Sequence, residues 1–160
     1  MKNIILIIAM ITSMIFTGCK TKSEIGANYT HEIECLGSEL DGSVTLKSWG
    51  KGKNRADAIE QAKKEAINAV LFTNIRNGNQ SCNGMPILNA PNIRKNNEDY
   101  FNNFFKDSGD YKKFISGADE SFGKKEKEKG RDGEVVYGFI IRVMKSDLKK
   151  KMITDGILKN

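Results

Sequence analysis

Apolar and polar residues alternate most strictly in two places. Over 42–50, Val44, Leu46 and Ser48 fall on one face of an extended chain, and Thr45, Lys47 and Trp49 on the other. This predicts a strand ended by Gly50 and Gly52. Over 134–144, Val135, Tyr137, Phe139, Ile141 and Val143 share one face. Val136, Gly138, Ile140 and Met144 share the other, interrupted by Arg142. Apolar character on both faces predicts a central strand. Between the two the period lengthens. Ile59, Ala62, Ala66 and Val70, flanked by Ala58, Ile67 and Ala69, form a stripe that predicts a helix over Arg55–Phe72. Asn54 is placed to cap it with Asp57 as capping-box partner, and Glu60 and Lys64 to pair on the opposite side. The alanines would let the helix axis approach a sheet closely. Lys63 intrudes on the stripe and must carry its charge outward along its own stem.

The rest of the chain is less regular. Residues 74–97 are rich in Asn and Gly, hold Pro86 and Pro91, and show little periodicity, which predicts a long loop. Tyr100, Phe101, Phe104 and Phe105, then Tyr111, Phe114 and Ile115, are spaced by three and four and predict two short helices. Aromatic stripes at that spacing are more often core than binding surface. Trp49, Tyr100, Phe101, Phe104 and Phe105 are nevertheless kept as candidate partner-binding residues. After Phe122 the chain is nearly all charge to residue 129, so any strand there is an edge, and Asp132-Gly133 is a hairpin signal. Ser146 is expected to cap a last helix, with Gly156 at its C′ position and Ile157 packing on Met152. The order tether–β–α–loop–αα–β–β–α predicts an α+β fold, a two-layer sandwich of helices on a small antiparallel sheet.

Charge alone points the wrong way. The 160 residues carry 26 Lys and Arg against 20 Asp and Glu, a net +6, which invites a nucleic-acid reading. The start of the chain redirects it. Lys2 precedes an apolar run over 4–16, of about 13 residues where roughly 20 are needed to cross a bilayer. The run ends in Phe16-Thr17-Gly18-Cys19. These residues resemble the lipobox of a bacterial lipoprotein signal peptide, with Phe16 where that pattern prefers Leu. The resemblance implies acyl chains such as palmitate on Cys19, cleavage before it, and attachment that two or three chains make effectively permanent. Lys20 stands where Asp would favour inner-membrane retention. The implied location is the outer membrane, lipid-anchored on the periplasmic side, with no nucleic acid as partner. The implied organisation is a signal peptide over 1–18, a tether over 19–33 and a single domain over 34–160.

With Cys19 acylated, Cys35 and Cys82 remain as one even pair in an oxidising compartment, where a disulfide is expected. Free or metal-bound thiols are the alternative, and no CxxC spacing supports them. Gly50-Lys51-Gly52-Lys53-Asn54-Arg55 lies where a dinucleotide fingerprint would, but Arg55 replaces the third glycine. A P-loop fails too, because Gly52 follows Lys51. Lys51, Lys53 and Arg55 at a helix N-terminus remain candidate anion-binding residues, weighed against a tight turn with solvated lysines. His31 is the sole histidine, and Glu32 and Glu34 beside it fall in or near the tether without fixed geometry. No metal and no cofactor are expected. Asp99, beside Tyr100 and Phe101, is the one carboxyl in an apolar setting, so no catalytic residue is assigned and the chain is not expected to be an enzyme.

Trp49-Gly50-Lys51-Gly52, the alanine-rich helix over 56–71, and the strand Val135–Val143 with Leu148 behind it resemble small envelope lipoproteins of Gram-negative anaerobes. More distantly they resemble flagellar-assembly-type lipoprotein domains, over about 42–72 and 121–157. That resemblance implies a protein-interaction or assembly module of the cell envelope, with an envelope protein as partner. The alternative is binding of peptidoglycan, glycan or anionic lipid, and a hydrolase comes third.

Overall fold

The computed structural model describes residues 32–82, 84–119, 127–129 and 135–159. The lipobox, Cys19, the tether as far as His31, most of the basic stretch 124–131 and the Asp132-Gly133 turn lie outside the described residues. At the centre, strands β2 (Val44–Gly52) and β6 (Val135–Val143) run antiparallel, from Val44 opposite Val143 to Gly52 opposite Val135. Opposed residues share a face. Val44, Leu46 and Ser48 therefore join Val143, Ile141 and Phe139 on one side, and all six are buried. β6 is interior, as its two apolar faces predicted: β2 lies on one flank, and β4 (Ile115–Asp119) and β5 (Lys127–Lys129) share the other.

β1 (Glu34–Ser38) pairs antiparallel with β2, and the two-residue β3 (Asn77–Gly78) pairs parallel with β1. The order is β3-β1-β2-β6-β4, with β5 beside β6. The fold is α+β with helices on the sheet, as expected, but the sheet is mixed rather than antiparallel. The chain leaving the helix returns along β1 in the same direction. β1 and β4 were absent from the expected order. Each is only five residues long and contains a register shift, at Cys35/Gly37 and at Ile115/Gly117, which breaks the period of two.

Helix α1 has the predicted bounds, Arg55–Phe72. Asn54 Oδ1 accepts from the Asp57 amide at 3.0 Å, while Asn54 Nδ2 donates to Asp57 Oδ2 at 3.0 Å. Asp57 thus answers the cap's side chain, not its backbone as in a capping box. Gly52 ends β2 as expected, but Gly50 lies within it, and both stand where the helix presses closest. A Cβ on Gly50 would stand 1.7 Å from the Ala58 carbonyl oxygen, and one on Gly52 2.6 Å from Asp57 Cβ. Ala58, Ala62 and Ala66 are fully buried against this strand, and Ser48 Oγ donates to the Ala62 carbonyl at 2.9 Å. The expected Glu60–Lys64 pair does not form. Glu60 holds Lys63 and Lys112 at 2.7 and 2.9 Å, and Lys64 reaches Asp107 at 2.7 Å, because the turn after the aromatic run packs against α1.

The long loop is partly ordered by what it satisfies. The amides of Ile87 and Leu88 donate to the carbonyls of Val70 and Leu71 at 3.0 and 2.8 Å, closing a helix end that has no glycine cap. A short turn at Gln80–Cys82 is bridged to β1 through the Cys35–Cys82 disulfide, with Cα atoms 6.1 Å apart. α2 (Ile93–Asn96) and α3 (Glu98–Phe105) follow, then a 3-10 turn over Asp110–Phe114. Phe101, Phe104, Tyr111 and Phe114 all enter the core. α4 (Lys145–Thr154) starts without a side-chain cap. Ser146 lies inside its first turn and donates instead to the Gly42 carbonyl, which corrects its expected role. At the other end Gly156 has φ +72°, with Gly156 and Ile157 amides on the carbonyls of Ile153 and Met152, as predicted.

Candidate functional site

The helices among the described residues pack on one side of the sheet, and the register dictates what the other side shows. Thr45, Lys47 and Trp49 of β2 lie opposite Arg142, Ile140 and Gly138 of β6. β1 places Gly37 beside Thr45, and β4 places Gly117 beside Arg142. A row Gly37–Thr45–Arg142–Gly117 therefore crosses four strands. Both glycines sit at the bulges, and a Cβ on either would meet nothing within 4 Å. The result is a groove of about 580 Å³, walled by Leu36 and Ile140, with Glu39 and Ser116 completing its lining. Leu36, Trp49 and Ile140 take no part in the core cluster.

Arg142 and Thr45 lie side by side at the middle of this groove. Arg142 Nη2 donates to Glu39 Oε1 at 3.1 Å, with both side chains nearly half exposed. Thr45 Oγ1 is buried and has no hydrogen-bond partner among the described residues. Nearby, the indole of Trp49 lies over Gly138, whose Cβ would stand 3.3 Å from the ring, and Lys47 Nζ is 5.1 Å from the ring centroid. Glycine opposite tryptophan is what lets the ring lie flat on the sheet.

The chain finds no match among known protein families, curated proteins or solved structures. The reading of the site therefore rests on this geometry.

Of the five candidate partner-binding residues, Trp49 alone reaches the open face. Phe101 and Phe104 are 2% and 4% exposed, so their expected role at a surface is corrected to core. Tyr100 and Phe105 are half-buried against them, with ring centroids 5.1 Å apart for Tyr100–Phe101 and for Phe104–Phe105. Lys51, Lys53 and Arg55 are all exposed and gathered at the turn into α1. However, Asn54 already takes the Asp57 amide, and the Asp57 carboxylate adds negative charge where an anion would sit. Asp99 is exposed rather than set among aromatics.

Two other carboxylates are held in networks. Partial burial would raise the Glu60 carboxyl, but hydrogen bonds from Lys63, Lys112 and Tyr111 outweigh it and hold it at about 2. Burial and the Glu60 carboxylate, 2.9 Å from its hydroxyl, push Tyr111 up. Asp155 is arranged similarly. Burial alone would raise it, yet the Tyr100 hydroxyl at 2.5 Å and Lys151 at 2.9 Å keep it low. These carboxylates are ionised and neutralised in place, an arrangement that clamps helices together rather than moving protons. His31 lies outside the described residues, and among those described no three metal-ligating side chains gather.

The groove itself escaped the sequence reading. Arg142 breaking an apolar face was visible, as were isolated glycines near 37 and 117. Nothing local showed that they would share one row.

Proposed function

We propose that the protein is an outer-membrane-anchored, periplasm-facing lipoprotein that acts as a protein-interaction module of the cell envelope. Its partner docks on the open face of the sheet. The observation that carries this reading is the asymmetry of the sheet: the described helices pack on one face, while the other presents Leu36 and Ile140 at a groove, with Trp49 farther along the same face. Apolar side chains grouped on a surface and rimmed by charge mark docking sites more often than scattered ones do. The lipobox-like residues 16–19 support the anchoring, and a domain tethered at a membrane is well placed to act by binding.

The test is in-cell crosslinking of the tagged, natively lipidated chain, followed by capture and mass spectrometry, in parallel with Gly117→Val and Cys19→Ala. Gly117→Val fills the groove without meeting a neighbour. A near-stoichiometric envelope protein captured by the parent and lost in Gly117→Val supports docking at this face. An unchanged capture overturns it. Cys19→Ala should leave the membrane fraction. A second reading is favoured by the three exposed cations Lys51, Lys53 and Arg55 at one turn. In that reading the chain binds peptidoglycan or anionic lipid, and salt-sensitive sedimentation with purified cell wall would support it.

A further inference from the structure

We infer that the groove on the open sheet face receives a carboxylate side chain from an extended, acidic segment of the partner protein, held by Arg142 and Thr45. This rests on the reading that a partner docks on this face. Three observations converge on it.

The first is spare hydrogen-bonding capacity at one point. A guanidinium has five donors. Glu39 accepts from one of them at 3.1 Å and is the only side chain among those described that hydrogen-bonds Arg142, although Asp41 lies near enough to feel its charge. Directly across the strand boundary, the Thr45 hydroxyl is buried and has no hydrogen-bond partner among the described residues. A carboxylate on the guanidinium would take two parallel N–H bonds from its fork, the geometry such forks fit best, and the Thr45 hydroxyl, buried as it stands, would turn about its Cα–Cβ bond to add a third.

The second is shape. The row from Gly37 to Gly117 spans three interstrand spacings, about 14 Å, the length of roughly four residues of extended chain. Glycine at both ends leaves space for the segment to enter and leave, since a Cβ there meets nothing within 4 Å. Leu36 and Ile140 wall the groove and suit apolar residues flanking the acid. A lipid phosphate would match the charge but not a shallow groove of this length.

The third is Glu39 itself. It sits at the start of the β1–β2 hairpin, where its amide donates to Ser43 O at 2.9 Å, and its carboxylate meets Arg142 from within the chain. Glu39 is an internal stand-in for the partner's acid and competes with it. A net charge of +6 favours an acidic partner in the encounter as well.

Trp49 stands four residues along β2 from Thr45 and outside the groove lining, so binding is read by the anisotropy of a fluorescein-labelled peptide. Natively lipidated protein in detergent is titrated into a labelled six-residue peptide alternating Leu and Asp, and into the same peptide carrying Asn for Asp. The acidic peptide should give a saturating rise in anisotropy, and the amide peptide should bind at least about tenfold more weakly. Arg142→Gln and Thr45→Val should each weaken binding about tenfold, while Arg142→Lys recovers part of the loss. Glu39→Gln should tighten binding several-fold, which a merely structural role for the Glu39–Arg142 pair would not do. Thermal melts of each variant establish that it is folded.

Equal binding of the two peptides overturns the inference, as does weaker binding by Glu39→Gln. So does displacement of the peptide by phosphatidylglycerol vesicles in an Arg142-dependent way, which makes the groove a headgroup site. If no peptide binds, yet Gly117→Val still loses the crosslinked partner, the carboxylate inference fails while docking at this face stands. If Gly117→Val keeps the partner, both fail.

Discussion

Glu60 shows how one side chain changes role between the linear pattern and the packed molecule. Its spacing to Lys64 suits a surface ion pair, yet it accepts from Lys63, Lys112 and Tyr111 together, two of them from the segment after the aromatic run. Its carboxyl falls from an ordinary 4.5 to about 2. A folded value below the unfolded one means that the stabilisation is complete above about pH 4.5 and is lost as pH falls towards 2. Glu60 is a third exposed, so solvent screening limits the effect to about 1 kcal/mol. Glu60→Gln should therefore be less stable than the parent by about that amount at pH 7, with the difference closing near pH 2–3 in urea titrations. A difference that persists at pH 2 would mean that packing, not charge, is what Gln fails to replace. Lys63 lies on the apolar side of the helix pattern and is resolved by the same network, its stem half-buried and its ammonium on Glu60.

Elements were legible where the repeat ran uninterrupted. α1 has its predicted bounds because eighteen residues keep one apolar stripe and Asn54 supplies the cap. β2 and β6 keep the period of two over nine residues each. β1 and β4 were missed because a bulge within five residues leaves too few in phase to form a pattern. The role of Gly50 was misread for a related reason. A glycine at the end of an alternating run looks like a stop, whereas here it makes room for a helix that is far from it in no local sense. Gly50→Ala should cost about 3 kcal/mol, since the new Cβ meets backbone rather than a flexible side chain. Gly37→Ala, with open space around it, should change stability by no more than about 0.5 kcal/mol. Denaturant midpoints of the two variants side by side would test the difference. Equal costs would mean that chain flexibility, not helix approach, decides the effect at Gly50.

At the level of the whole molecule, the disulfide and the loop it holds connect the two ends of the architecture. Cys35 on β1 and Cys82, forty-seven residues on, are both buried, and the loop that Cys82 anchors goes on to close the C-terminus of α1 through Ile87 and Leu88. Replacing both cysteines by alanine should lower stability by about 2–4 kcal/mol. Hydrogen exchange should quicken first at the amides of Ile87 and Leu88. If exchange there stays slow while global stability falls, the bridge acts through the unfolded chain alone. The same loop explains the parallel β3–β1 pair, which no local signal could announce.

Periods, caps and the C′ glycine act within windows of a few residues, so the chain alone settles where α1, β2, β6 and the end of α4 form. The cysteine pair and the apolar start, with the residues that resemble a lipobox, are likewise written in order along the chain. The groove is of another kind. Gly37, Thr45, Arg142 and Gly117 come from four strands and span more than a hundred positions, and they meet because register is chosen by the burial of the opposite face. The same burial drew Phe101 and Phe104 inward and left Trp49 outside. Which side chains remain to meet a partner is settled by what the core has already taken, and that depends on contacts far apart in the chain.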